Sequence, residues 1–124
     1  MSFQINSDDE NENGDSQIHR NFRITLVGLI NFIYSNINHN RIFPPFIQDI
    51  TRIISLITQT LVRRRRYKAF DICYVLVKEE TRNIFNMNFN YNVIKWVTTK
   101  LWMSSNHIEK RFYNFLAQQV NSLI

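Results

Sequence analysis

Apolar residues recur along this chain at helical spacing, in stretches separated by clusters of Asn, Pro, His and Arg. Phe22, Leu26, Leu29, Ile33 and Ile37 follow i, i+4, i+7, i+11 and i+15, which predicts one stripe of a helix over residues 20–38. Gly28 lies inside it. A glycine there weakens the helix by about 1 kcal/mol relative to Ala, or leaves room for another helix to approach closely. Asn36, Asn38, His39 and Asn40 end the element, and Pro44-Pro45 marks a break, with Pro45 suited to the first turn of the next helix.

Residues 46–62 put Phe46, Ile50, Ile53, Ile54, Ile57 and Leu61 on one face and mostly polar residues on the other. The period is 3.6 and not 2, so a helix is expected despite the β-branched content. Residues 67–85 repeat the pattern through Tyr67, Phe70, Cys73, Tyr74 and Val77. Ile72, Val75 and Leu76 make this segment apolar nearly all round, as a central helix would be. A strand over 72–77 is the competing reading of so short an apolar run.

Residues 85–93 depart from the helical rule. Phe85, Met87, Phe89, Tyr91 and Val93 alternate with Asn86, Asn88, Asn90 and Asn92. The period is that of a strand, yet asparagine disfavours strands and favours turns. The expectation is an extended loop that pins its aromatic side to the core. The alternative is an edge strand that pairs with a partner. Residues 93–103 predict a short helix with Val93, Trp96, Val97 and Leu101 inward and Trp102 exposed. Asn106 and Glu109 then read as a helix-start pair, and Ile108, Phe112, Phe115, Leu116, Gln119 and Leu123 mark the last helix. The whole predicts an all-α fold. It is a small single-domain bundle of about five helices over residues 19–124, behind a disordered acidic tail at residues 1–18.

Charge sharpens this picture. The net charge of +5 is the sum of two unlike parts, since half of the ten acidic residues fall within the first fifteen positions. From residue 17 onward 15 basic residues face five acidic ones, a body of net +10. Such a body attracts polyanions of every kind, so the charge alone selects no partner. The single cysteine, Cys73, sits among apolar neighbours and reads as a buried, inert thiol. One cysteine allows no intrachain disulfide, and no secretory leader or membrane-spanning run is evident. An intracellular location, cytoplasmic or nuclear, is therefore expected. The abundance of Asn and Ile suits an AT-rich genome, such as a virus can carry.

Catalysis finds little support. Two glycines, Gly14 and Gly28, cannot build a phosphate cradle, and His19, His39 and His107 lie in separate connectors without metal-ligand spacing. Neither enzyme activity nor a metal or other cofactor is expected. Asp49 with Arg52 and Glu79 with Arg82 have ion-pair spacing on helices. Asp71 is the one carboxylate placed for burial, where it would pair with a preceding arginine or cap its helix.

The sharpest feature is the run Arg63, Arg64, Arg65, Arg66, extended by Lys68. Arginines stay ionised and cannot be buried unpaired, so they face water or an anion. Three readings compete: a solvated helix junction, a nuclear localisation signal, and a phosphate-binding patch. In the last, Arg63 with Arg66 and Arg64 with Lys68 share helical faces. Lys95 and Lys100, beside Trp96 and Trp102, add a second basic-aromatic stretch of the kind that contacts nucleic acid. The function expected is a non-catalytic, regulatory protein-interaction module, with Met87, Phe89, Tyr91 and Trp102 at its partner interface. The alternative is nucleic-acid binding by Arg63–Arg66, Lys68, Lys95 and Lys100. A protein partner is expected, homo-oligomers are compatible, and membrane insertion is not expected.

Overall fold

In the computed structural model of the chain the described residues are 14–124, with side chains from residue 25 onward. Positions 1–13 of the expected acidic tail, and the Phe22 side chain, lie outside the described residues. Six helices follow in order: α1 Gly14–Asn36, α2 His39–Ile42, α3 Ile50–Thr60, α4 Ala69–Phe85, α5 Tyr91–Ser104 and α6 His107–Leu123. Helix α1 overlaps the last five positions of the expected tail, and α2 is one short turn more than the apolar pattern announced. No strand occurs among the described residues. The fold is all-α.

Helix α4 is the axis of the bundle. Helices α2, α3, α5 and α6 pack on it, while α1 packs on α5 and α3 also touches α6. The sequence signature of a helix apolar nearly all round is matched by burial of every residue from Asp71 to Val77. Each large aliphatic side chain taken fully from water contributes about 1.5–3 kcal/mol, so an element surrounded on most sides is the natural core. The stripe of α1 is buried as spaced: Leu29, Ile33 and Ile37 are inside and Leu26 packs at the edge. Gly28 does not serve close approach, because a Cβ built there would meet nothing within 4 Å.

Helix α3 starts four residues later than expected, at Ile50 and not at Phe46. Pro45 is buried ahead of it, in the connector, and Asp49 takes the N-cap, its Oδ1 accepting from the Thr51 N–H at 3.1 Å. A capping carboxylate faces back along the chain, so Asp49 is used there instead of pairing with Arg52. Ile53 and Ile57 are buried, with Ile50, Ile54, Phe46 and Leu61 packed around them. The Glu79–Arg82 pair forms as spaced. Across the bundle, Arg41 of α2 donates to the buried Glu80 of α4 at 2.9 Å and lies over the Phe46 ring, tying a short helix to the axis.

The asparagines explain the alternating segment. Asn86 ends α4 in a left-handed conformation at φ 52°, and Asn90 starts α5 by accepting from the Val93 N–H at 3.0 Å. Between them Met87 and Phe89 are half-buried and Asn88 is exposed, as an aromatic-side-in loop requires. Asn38 caps α2 in the same manner. Asn106 and Glu109 exchange reciprocal bonds of 2.8 Å at the start of α6.

Two inward faces differ from expectation. On α5 the buried set is Val93, Ile94, Val97, Thr98 and Leu101, which turns Trp96 out to 57% exposure and half-buries Trp102. Ile94 and Thr98 shift the centre of the stripe away from Trp96, reversing the roles assigned to the two tryptophans. On α6 the buried set is Tyr113, Leu116, Ala117 and Val120, and only Leu116 belongs to the expected stripe. Tyr113 anchors this inward face, its hydroxyl donating to the Ile42 carbonyl, and the Ile108–Phe112–Phe115–Leu123 stripe is left outside.

Candidate binding surfaces at the arginine linker and the last helix

The arginines occupy a non-helical linker between α3 and α4. Helix α3 closes where the Leu61 N–H bonds to the Ile57 carbonyl at 2.8 Å, and the next helix begins only at Ala69. The side chains of Arg63–Arg66 and Lys68 are all exposed. With no helix through 63–68, the helical pairing of Arg63 with Arg66 and of Arg64 with Lys68 does not arise. The junction reading of this run is what the backbone has.

The linker is nonetheless shaped. Tyr67 is buried, its hydroxyl accepts from the Arg64 N–H at 3.1 Å, and this closes the run into a loop. Asn121 of α6 grips the Tyr67 backbone from both sides: its Oδ1 accepts from the Tyr67 N–H and its Nδ2 donates to the Tyr67 carbonyl, each at 2.8 Å. Asp71 does what its place in the sequence suggested. Its Oδ2 accepts from the Lys68 N–H at 2.8 Å at the start of α4, and its Oδ1 pairs with Arg64 Nη1 at 3.2 Å. Arg63, Arg65 and Arg66 form no ion pair among the described residues.

Beside the linker lies a groove of about 720 Å³. Ile54, Ile57 and Leu61 line it from the α3 side and Val120 and Ile124 from the α6 side, and Arg63, Arg64 and Arg65 of the linker line it as well. The two lysines of the expected basic surface are placed elsewhere. Lys100 donates to Asn31 Oδ1 of α1 at 2.7 Å, with its ammonium 4.8 Å from the Tyr34 ring centre. Lys95 sits 5.8 Å from the ring of Tyr91 on its own helix. Lys100 thus belongs to the α1–α5 seam, whereas the arginine linker belongs to α3, α4 and α6.

The aromatic interface candidates are largely engaged in packing. Trp102 stands edge-on to Phe70 and Tyr113 at 6.1 and 5.9 Å, with the Lys110 ammonium 5.6 Å from its ring. Phe89 packs on Phe85 at 5.7 Å, Met87 is half-buried, and Tyr91 is half exposed against Tyr74 at 5.3 Å. The larger apolar surface lies on α6. Ile108, Phe112, Phe115 and Leu123 are 65, 46, 57 and 67% exposed and follow i, i+4, i+7 and i+15 down one face. Together they expose on the order of 500 Å² of side chain, a size at which a patch on a monomer is often functional. The signal was in the sequence: Tyr113, Leu116, Ala117 and Val120 form a second stripe at i, i+3, i+4 and i+7, so α6 has two apolar faces.

The remaining reactive groups are buried. Cys73 is fully inside, and burial pushes its thiol up to about 12, an effect only partly offset by its contact with Tyr113. Burial likewise raises Tyr113, with the neighbouring Cys73 adding to the shift, while its hydroxyl donates to the Ile42 carbonyl. Among the described residues no group of three His, Cys, Asp or Glu side chains could hold a metal ion, and no helix is long and apolar enough to cross a membrane. No protein-family model, no curated protein and no solved structure matches the chain.

Proposed function

We propose that this chain is a non-catalytic protein-interaction module whose partner docks on the outer face of α6. The observation that carries the reading is the exposed stripe Ile108, Phe112, Phe115 and Leu123, on a helix whose neighbouring face already fills the core. A helix with one apolar face inward and a second outward favours a partner that brings an amphipathic helix of its own, read at i, i+4 and i+7. Phe112 and Phe115 are the central anchors, since aromatic residues near the middle of a patch carry most of the binding energy. Immobilised protein should retain its partner when wild type and lose it as Phe112→Glu/Phe115→Glu. Both residues are surface-exposed, so thermal unfolding should change little. Equal retention by the two forms refutes the assignment.

The second reading is nucleic-acid binding through the linker, favoured by the exposure of Arg63, Arg65 and Arg66, which form no ion pair among the described residues. Lys95 and Lys100 drop out of that surface, leaving a footprint of about five charges and a correspondingly shallow salt dependence. A gel shift with single-stranded RNA at two salt concentrations decides it. Binding that persists undiminished in Arg63→Glu/Arg65→Glu removes the linker from consideration.

A further inference from the structure

We propose that the groove between α3 and α6 is a binding site for a single-chain acyl anion, a fatty carboxylate being the simplest case. Two kinds of side chain line it. Ile54, Leu61 and Ile124 offer branched aliphatic surface, backed by the buried Ile57 and Val120, and Arg63, Arg64 and Arg65 bring guanidiniums to the same groove. A lining both aliphatic and cationic is the complement of an alkyl chain with an anionic head. The volume of about 720 Å³ lies within the range that small-molecule sites occupy.

The wall chemistry separates this ligand from a nucleotide. A base stacks on aromatic rings or guanidinium planes; the one lining ring, Tyr67, is 5% exposed with its hydroxyl bonded to the Arg64 N–H, which leaves only the guanidiniums that an anionic head would itself engage. Aliphatic walls have no π-face to offer, whereas every methylene of an alkyl chain that enters them gains about 0.8 kcal/mol. The head has its partners in place. Asp71 neutralises Arg64, but Arg63 and Arg65 form no ion pair among the described residues, and a carboxylate or phosphate head accepts from such donors at good geometry. The linker that carries them is also fixed. Asn121 and the buried Tyr67 hold its shape before any ligand arrives, so less ordering entropy opposes binding.

The test is calorimetric titration of the folded chain with sodium dodecanoate below its micelle threshold. Two control ligands accompany it: dodecyltrimethylammonium, with the same tail and a cationic head, and inorganic phosphate, an anion without a tail. Saturable binding of dodecanoate at one site is expected, with neither control binding comparably. Arg63→Glu/Arg65→Glu should weaken dodecanoate by about tenfold or more, the usual scale for two charge-assisted contacts. Ile124→Glu, which places a carboxylate on the exposed end of the wall, should weaken it as well. Both variants change exposed side chains, and circular dichroism checks that they are folded.

Equal binding of the cationic and anionic ligands overturns the proposal, and so does dodecanoate affinity indifferent to both variants. Absence of saturable dodecanoate binding overturns it. Phe112→Glu/Phe115→Glu should leave dodecanoate binding intact, so failure here and failure of the α6 docking face are read on different variants.

Discussion

Cys73 and Tyr113 are packed together in the interior with no water to solvate a charge on either, and this fixes how the fold answers to alkali. Below pH 9 the thiol is protonated in folded and unfolded chains alike, and its contribution to stability is intact. Its ordinary value is 9.0, and in the fold it is pushed up to about 12, so between those limits the unfolded chain sheds a proton that the folded chain keeps. Stability therefore falls as pH rises through this window, by up to about 1.4 kcal/mol per pH unit for one such group. From pH 10 Tyr74, itself raised to about 12 by burial and the nearby Tyr91, and Tyr113 add slopes of the same sign. Urea unfolding at pH 8, 9 and 10 should show the loss beginning near pH 9. Cys73→Ala should lose less stability than wild type between pH 9 and 10, where only the onset of the tyrosine titrations contributes, and fall more steeply beyond, whatever its starting stability. A wild-type curve flat to pH 11 contradicts the account. Burial of Cys73 was legible from its neighbours, but its contact with a tyrosine forty residues away was not, because nothing local encodes it.

The elements divide by how many apolar faces each carries. Helices α1, α3 and α4 were legible because one stripe, or none, is polar enough to settle which side faces in. Helix α6 was legible as a helix but not in its orientation, since two stripes compete and size favoured the wrong one. The inward face mixes the large Tyr113 with Leu116, Ala117 and Val120, and Tyr113 closes against Phe43 and Trp102 and bonds to the Ile42 carbonyl, contacts that the outer phenylalanines do not make. The tryptophans of α5 were exchanged by the same kind of shift. The 85–93 segment was legible as a loop because asparagine's turn chemistry outweighed its period of two: Asn86 and Asn90 cap helices, and α5 begins at Tyr91. Gly28 is the plain case. It lies in a helix, is solvent-exposed and has open space where a Cβ would stand. Gly28→Ala should raise stability by about 0.5–1 kcal/mol through helix propensity and the entropy of the unfolded chain. Chemical denaturation checks this, and a destabilised variant means that a neighbour occupies the space after all.

At the scale of the whole molecule, the linker holds the densest positive charge and α6 a stripe of exposed apolar residues, while the groove between α3 and α6 brings arginine and aliphatic side chains together. The arginine run was visible at once in the sequence, with a junction between helices as one of three readings. The sequence could not show that the run faces an aliphatic groove, because α3 and α6 come together only in the folded bundle, more than fifty residues apart. Nor could it show that Lys100 is committed to Asn31 and Tyr34 of α1, leaving the basic surface smaller than the net charge suggests.

The two-sided grip of Asn121 on the Tyr67 backbone makes the end of one helix a latch for a segment far away in sequence. Helix ends fray readily, and when the last turn of α6 opens, both bonds are lost together. The arginine linker then trades a held curve for a loose strand, so the shape of the cationic surface follows the breathing of a helix terminus. Asn121→Ala imitates the opened latch. It should cost about 1–3 kcal/mol, the range for leaving buried backbone groups unpaired. Amide exchange at Tyr67 should quicken in parallel, while the far side of the bundle at α1 and α5 keeps its wild-type rate. Any occupant that fills the groove presses on both sides of this latch, and so would report its arrival as slowed exchange in the last turn of α6.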